Sequence, residues 1–335
     1  MARIVVVGSG VVGRATGKGF LAKGHHVVFV DINSGIIERL RSEGYYASFP
    51  PEVDWAAADI IMLSVNTPTV GGQIVLDYLL QAVETVARGL AAAPGYPVVV
   101  VRSTVVPTTT EQVIKPLLEE VSGRRVGVDL GLCMNPEFLR QVSAEEDFIN
   151  PWITVVGSCS PIEAGVMHEL YVPFGAPIIH TDCTTAETIK YANNLYNATK
   201  ISFFNEFFLV CERLGIDHAV VSRTVALSAE GMWNPYYGTI GGWPYGGACL
   251  PKDTAAFLAF ADALGLEMPV LTGTMRMNQI MEQRAPAPAS LHEVLGPALA
   301  GAERQLEPVA DERFAYSGGA RAVPLASVDT VLQGE

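Results

Sequence analysis

The sequence predicts an α/β protein: a doubly wound parallel sheet over residues 1–182, followed by an all-helical region over 183–284 built on one long central helix. Three observations carry this. Short β-branched runs alternate with amphipathic segments through the first 180 or so residues. Several of those runs are apolar at nearly every position, as strands covered on both faces must be. After "HTDCTTAETIK" the alternation gives way to helical spacing. Helix-like segments between apolar strands place helices on both faces of one sheet.

Taken in order, the expected strands are 3–7 ("RIVVV"), 26–30 ("HVVFV"), 59–65 ("DIIMLSV"), 97–101 ("PVVVV"), 130–134 ("LGLCM"), 153–157 ("ITVVG") and 177–179 ("PII"). Residues 184–213 read as one helix, with Thr184 or Thr185 as N-cap and Glu187 in its first turn. A second helix is expected near 217–228, then a loop at 231–248 rich in Gly, Pro, Trp and Tyr, then helices near 252–264 and 269–284. Residues 285–335, opening "APAPAS", carry little periodicity and read as a partly disordered tail or an arm on the body.

Composition narrows the function classes. The chain has 335 residues, 49% hydrophobic and 17% charged, with mean hydropathy +0.28, enough apolar content for a large core and more than one domain. No run reaches the roughly 18 uninterrupted apolar residues of a membrane span, and "RIVVVGSG" at the start does not read as a secretory leader. Net charge is −13 without a Lys/Arg cluster, which argues against a nucleic-acid partner. The five cysteines, 133, 159, 183, 211 and 249, include no CxxC pair. That pattern suits a reduced, cytoplasmic setting better than a disulfide framework or a metal site.

"GSGVVG" sets Gly8, Gly10 and Gly13 between an apolar strand and a helical pattern. A tight turn there lets backbone N–H groups approach a pyrophosphate at the positive end of the helix. Asp31 closes the next strand at the spacing of an acid that binds a ribose hydroxyl, and its charge would repel a 2′-phosphate. NAD is therefore favoured over NADP, while FAD shares the same fingerprint.

The chemistry-bearing residues lie further along. In "WPYGGACLPKDT", Pro251 suits the first helical position, so Cys249 falls at a helix N-terminus where the dipole and Lys252 favour an anion. Gly246 and Gly247 leave room for a substrate. Burial as a small hydrophobe is the usual fate of a free cysteine and fits Cys133, Cys159 and Cys211. Glu187, Lys190, Asn194 and Asn197 share one face of the long helix, either as a solvated stripe or as a clamp on a substrate hydroxyl. Glu137 in "NPEFLRQ", Ser64 and Thr67 in "SVNTPT", and Ser103 and Thr104 in "RSTVVPTTT" all follow strands, where sites of such folds gather.

Together "GSGVVG", "SVNTPT", "RSTVVPTTT", "NPEFLR", "KYANNLYNATKISFFNE" and "GGACLPKDT" resemble the UDP-glucose/GDP-mannose dehydrogenases, in family order across residues 1 to about 280. The family oxidises a sugar CH₂OH to a carboxylate with NAD. The resemblance implies a Rossmann-type first domain, Cys249 as nucleophile, and Asp253 and Lys190 in proton transfer. Thr104 and Glu137 would position water and substrate, and Asn194 would bind the sugar. Val11, Val12, Val65, Thr67, Ser103, Gln141 and Lys252 would lie along the cofactor. Phe138, Leu139, Tyr237, Gly238, Gly242 and Gly246 would lie along the substrate. It also implies a homodimer paired through the helical domain.

Three departures stand out. Gln141, followed by Val142, occupies a place where the family usually has a glutamate. Residues 224–248 contain no Lys or Arg to meet a nucleoside diphosphate. The family's third, nucleotide-gripping domain has no counterpart long enough in the tail after 285. Two other readings stay open on sequence: a two-electron dehydrogenase of the β-hydroxyacid type acting on a smaller or nucleoside-like substrate, and a non-catalytic NAD-binding partner subunit.

Overall fold

The computed structural model describes residues 1–284; the tail read as disordered or arm-like lies outside the described residues. In chain order the strands are β1 (Arg3–Val7), β2 (His26–Val30), β3 (Ala47–Ser48), β4 (Ile60–Leu63), β5 (Thr69–Val70), β6 (Gln73–Ile74), β7 (Val98–Val101), β8 (Gly131–Met134), β9 (Thr154–Ser158) and β10 (Ile178–Thr181). The helices are α1 (Val11–Ala22), α2 (Ser34–Ser42), α3 (Asp77–Leu90), α4 (Lys115–Ser122), α5 (Ala144–Ile149) and α6 (Pro161–Tyr171), then α7 (Cys183–Leu214), α8 (His218–Ser228), α9 (Glu230–Trp233), α10 (Leu250–Ala263) and α11 (Pro269–Arg284).

Eight strands form one sheet in the order β10-β9-β8-β7-β4-β1-β2-β3. Apolar runs become strands because alternate residues feed two separate cores. Val5, Val7, Ile61, Leu63, Val99 and Val101 face a core closed by α3, α4 and the first turn of α7. Ile4, Val6, Ile60, Met62, Val98 and Val100 face another, closed by α1, α2, α5 and α6. In that second core Phe20 meets Phe148, Tyr171 and Phe174 with ring centroids 5.2, 5.6 and 5.8 Å apart.

The fold class is as expected, with corrections in detail. The sheet is parallel from β3 to β8, but β9 pairs antiparallel with β8, and β10 runs parallel to β9. Nothing in the apolar content of β9 encodes its direction. The edge strand β3 and the β5–β6 hairpin are two residues per strand, too short for a periodic signal. The long helix begins at Cys183, and its N-cap is Asp182 rather than Thr184 or Thr185. Asp182 Oδ1 accepts from the Thr185 N–H at 2.7 Å, and Glu187 falls beyond the first turn. The Thr185 hydroxyl also donates to Asp182 at 2.7 Å, and holds that carboxyl below its ordinary pKa.

Two compact units divide at Ser202, partway along α7. In the second unit a small core of Val210, Ala261 and Met268 is joined by Phe257, Leu258, Leu266 and Leu271, and Phe207 stacks on Phe257 at 5.0 Å. The buried Glu206 carboxylate accepts from the Val270 and Leu271 N–H groups, capping the start of α11. Among the described residues no helix is long and apolar enough to cross a membrane.

Candidate active site

The glycine turn after β1 is built as the motif requires. Gly8 adopts φ +85°, and a Cβ there would stand 2.7 Å from the Ser64 backbone. At Gly13 a Cβ would stand 1.9 Å from the Gly8 carbonyl, so α1 starts pressed against the turn. Gly10, the N-cap of α1, has open space at its Cβ position, and the helix carries no acidic side chain in its first turn. Free N–H groups at a positive helix end therefore face an open cradle suited to a diphosphate. Asp31 is oriented by the Ser9 N–H at 2.8 Å and the Asn33 N–H at 2.9 Å.

A cavity of about 750 Å³ opens from this turn. Of the residues expected along a cofactor, Gly8, Gly10, Val11, Val12 and Asp31 form one side, while Ser64, Val65, Thr67, Ser103 and Thr104 form the other. Gly13 lies behind the turn, and Gln141 sits in an exposed turn outside these walls. The two strand-end loops are tied together: Ser103 Oγ donates to the Val65 carbonyl at 2.6 Å and Thr67 Oγ1 to the Thr104 carbonyl at 2.7 Å. Ser64 Oγ is buried and lacks a hydrogen-bond partner among the described residues, although Ser64 as a residue borders the cavity. Sequence reasoning missed Trp55, Tyr78 and Gln81, which also line the cavity and carry no motif of their own, and gave no role to Asn66 within "SVNTPT".

Glu137 reaches the same cavity. Its Oε1 pairs with Lys190 Nζ at 2.7 Å, and the same ammonium donates to the Glu137 carbonyl at 2.6 Å. Both side chains are largely buried, 6% and 13% exposed, so the pair stays linked where water cannot screen it. An ammonium has three donors; one remains for another oxygen. Phe138 lies beneath the ammonium, with its ring centroid at 5.7 Å, and Leu139 follows with its N–H on Glu137 Oε2 at 2.7 Å.

The face shared by Glu187, Lys190, Asn194 and Asn197 divides in two. Glu187 and Lys190 are buried, whereas Asn194 and Asn197 are exposed. Glu187 neither faces solvent nor lines the cavity. It accepts the backbone N–H of Thr108 at 2.6 Å and of Thr110 at 2.7 Å, and burial raises its carboxyl above the ordinary value. Thr108 has φ +79°, the only non-glycine residue at positive φ among those described. A β-branched residue there is strained, and Glu187 holds it, fixing the loop that carries Thr104.

A second network joins the first residues of two quoted motifs, Arg102 of "RSTVVPTTT" and Asn135 of "NPEFLR", to which the sequence reading gave no role. Arg102 is 4% exposed with no carboxylate partner among the described residues; it donates to Asn135 and to Tyr171 Oη at 3.0 Å. Tyr171 in turn donates to Asn135 Oδ1 at 2.5 Å, and Asn135 Nδ2 donates to the Val155 carbonyl at 2.7 Å. These bonds anchor the end of β8 two residues before Glu137. An arginine directly after "VVVV" was the available signal.

In the second unit Cys249 is exposed and is the N-cap residue of α10; its carbonyl accepts the Asp253 N–H at 2.8 Å. Pro251 is the second helical position rather than the first, because α10 starts at Leu250. Lys252 and Asp253 are exposed and paired with each other. Tyr237, Gly238, Gly242 and Gly246 are exposed in the loop before it, and Gly238 and Gly242 have φ +71° and +95°.

Residues 47–175 match the family model for the NAD binding domain of the UDP-glucose/GDP-mannose dehydrogenase family, and residues 184–280 match its central domain. A GDP-mannose 6-dehydrogenase of Pseudomonas savastanoi pv. phaseolicola is 35% identical over 84% of this chain and 69% of its own length. The chain belongs to the UDP-glucose/GDP-mannose dehydrogenase family. A UDP-glucose 6-dehydrogenase of Haloferax volcanii is 34% identical over 83% of this chain and 70% of its own. The ternary complex of GDP-mannose dehydrogenase from Pseudomonas aeruginosa superposes with TM-score 0.78 at 31% identity, covering 84% of this chain and 69% of that one. This family member is an NAD-dependent dehydrogenase acting on a CH–OH group.

Proposed function

We propose that the chain oxidises the primary alcohol of a nucleoside-diphosphate hexose to a carboxylate, in two successive oxidations joined by covalent attachment to Cys249. The observation that carries this reading is the buried Lys190–Glu137 pair, whose carboxylate borders the cofactor cavity. The names of the relatives, GDP-mannose 6-dehydrogenase and UDP-glucose 6-dehydrogenase, support the substrate class.

Bound NAD supplies the hydride acceptor, one molecule for each oxidation. A water held by Asp253 takes the hydroxyl proton, and the spare N–H of Lys190 stabilises the alkoxide as the C–H bond breaks. The Cys249 thiolate then adds to the aldehyde carbon and the carbonyl oxygen takes up a proton, giving a thiohemiacetal; that proton returns to water as the second C–H bond breaks, leaving a thioester. Glu137 takes a proton from water, the hydroxide adds to the thioester carbon, and the C–S bond breaks to release carboxylate and thiolate. Thr104 orders the water, Asn194 holds the sugar, and Phe138, Leu139, Tyr237, Gly238, Gly242 and Gly246 form the substrate side. Gln141 and Lys252 lie along the cofactor, where Gln141, a neutral amide, acts only as a hydrogen-bond partner.

Residues 1–182 serve as the cofactor domain and 183–284 as the substrate and pairing domain of a homodimer. Leu195 and Tyr196 of α7, 60% and 59% exposed, support that pairing. Free cysteines support a cytoplasmic setting. The test is NADH formation with GDP-mannose, UDP-glucose, free hexoses and small 3-hydroxy acids. Turnover with a nucleotide sugar alone is expected; turnover with hydroxy acids alone would replace this reading with the two-electron one.

A further inference from the structure

Two thiols that take no part in this chemistry lie against each other. Cys159 directly follows β9 and Cys183 opens α7, with their Sγ atoms 3.7 Å apart. A disulfide bond is about 2.05 Å long, so the sulfurs need to close by less than about 2 Å. The other cysteines do not compete for either one. Cys133 is buried in the opposite core of the sheet, and Cys211 and Cys249 belong to the helical unit.

The pair is also asymmetric. Cys183 is fully buried, whereas Cys159 is only partly buried and can meet a small solute. The contact between the two sulfurs holds the Cys159 thiol below its ordinary pKa and raises that of Cys183. Around Cys159, the Lys115 ammonium favours the thiolate, while Glu163 and Glu111 oppose it. Oxidation is selective for a thiol with thiolate character and access, and a neighbouring cysteine resolves the product.

We propose that Cys159 and Cys183 form a peroxide-oxidisable dithiol whose disulfide ties the end of β9 to the start of α7. The Cys159 thiolate attacks a peroxide oxygen: an S–O bond forms, the O–O bond breaks, and hydroxide leaves to become water on protonation. Cys183 then gives up its proton and attacks the Cys159 sulfur: the S–S bond forms, the S–O bond breaks, and a second water leaves. The two cysteines lose two electrons and hydrogen peroxide gains them. Glu187 and Lys190 follow on the same helix, so the disulfide pins the end of the element that holds both. Such a bond is transient in a reducing compartment.

The experiment treats the native full-length chain with a small excess of hydrogen peroxide, alkylates the remaining thiols and maps the peptides by mass. The expected product is a Cys159–Cys183 linked peptide pair, lighter than the reduced pair by two hydrogen atoms and restored by dithiothreitol. It should be absent from Cys159→Ser and from Cys183→Ala, and unchanged in Cys249→Ser. The wild-type map decides the matter even if a variant folds poorly. Alkylation of both residues in a sample whose Cys249 is oxidised would overturn the proposal. So would Cys159 sulfinic acid without a cross-link, or a link formed only after unfolding in denaturant. None of these outcomes depends on the substrate reading.

Discussion

Ile61, Leu63, Leu79 and Phe20 of the sheet unit are fully buried, whereas Leu227, Trp233 and Ile240 of the helical unit are 82%, 62% and 62% exposed. The sheet unit closes two cores around its own strands; the described helical unit closes one around Val210, Ala261 and Met268. The difference is one of core size: both units expose some apolar side chains, but the sheet unit encloses two large cores and the described helical unit one small one. Exposed apolar side chains mark candidate interaction sites; those proposed to pair two copies, Leu195, Tyr196 and Ile201, lie on the part of α7 within the first unit, while Trp233 and Ile240 flank or belong to the proposed substrate loop of the second.

The comparison can be broken most directly by truncating side chains in each unit. Phe20→Ala should cost about 4 kcal/mol of stability, whereas Leu227→Ala should stay within about 0.5 kcal/mol in a monomer. Denaturant unfolding measures both, and equal costs would erase the distinction. The next largest effect concerns pairing. Leu195→Arg combined with Ile201→Asp should weaken a homodimer by about 100-fold or more, through loss of apolar burial of about 3 kcal/mol. Sedimentation at micromolar concentration checks it, and a monomeric wild type would refute the pairing. The smallest effect belongs to the sheet unit. Thr108→Gly should stabilise the fold by about 1 kcal/mol, because glycine adopts φ +79° without strain. A loss of stability there would mean that Glu187 holds the loop for a reason other than its conformation.

Legibility in the sequence followed the same division. The strands of the sheet were readable because full burial requires nearly unbroken apolar runs, and Gly8, Gly10, Gly13 and Asp31 were readable because their spacing reflects one backbone turn. The antiparallel β9 was not, since apolar content carries no direction. Asp182 was overlooked as a cap beside two threonines, although aspartate is the stronger N-cap residue. Glu187 and Lys190 shared a helical face with two asparagines, but which members of that face are buried depends on the loops after β7 and β8. Arg102 was hidden for a different reason: its partners Asn135 and Tyr171 come from distant segments, so no spacing connects them. Cys249 was legible as a helix-start thiol, although α10 begins one residue earlier than its proline suggested.

The central claim is that one thiol joins two oxidations. It is tested by counting NADH per nucleotide sugar consumed for the wild type and for Cys249→Ser in single-turnover conditions. The account predicts two NADH per sugar acid for the wild type and at most one for the variant. Two per sugar from the variant, or one from the wild type, would contradict it.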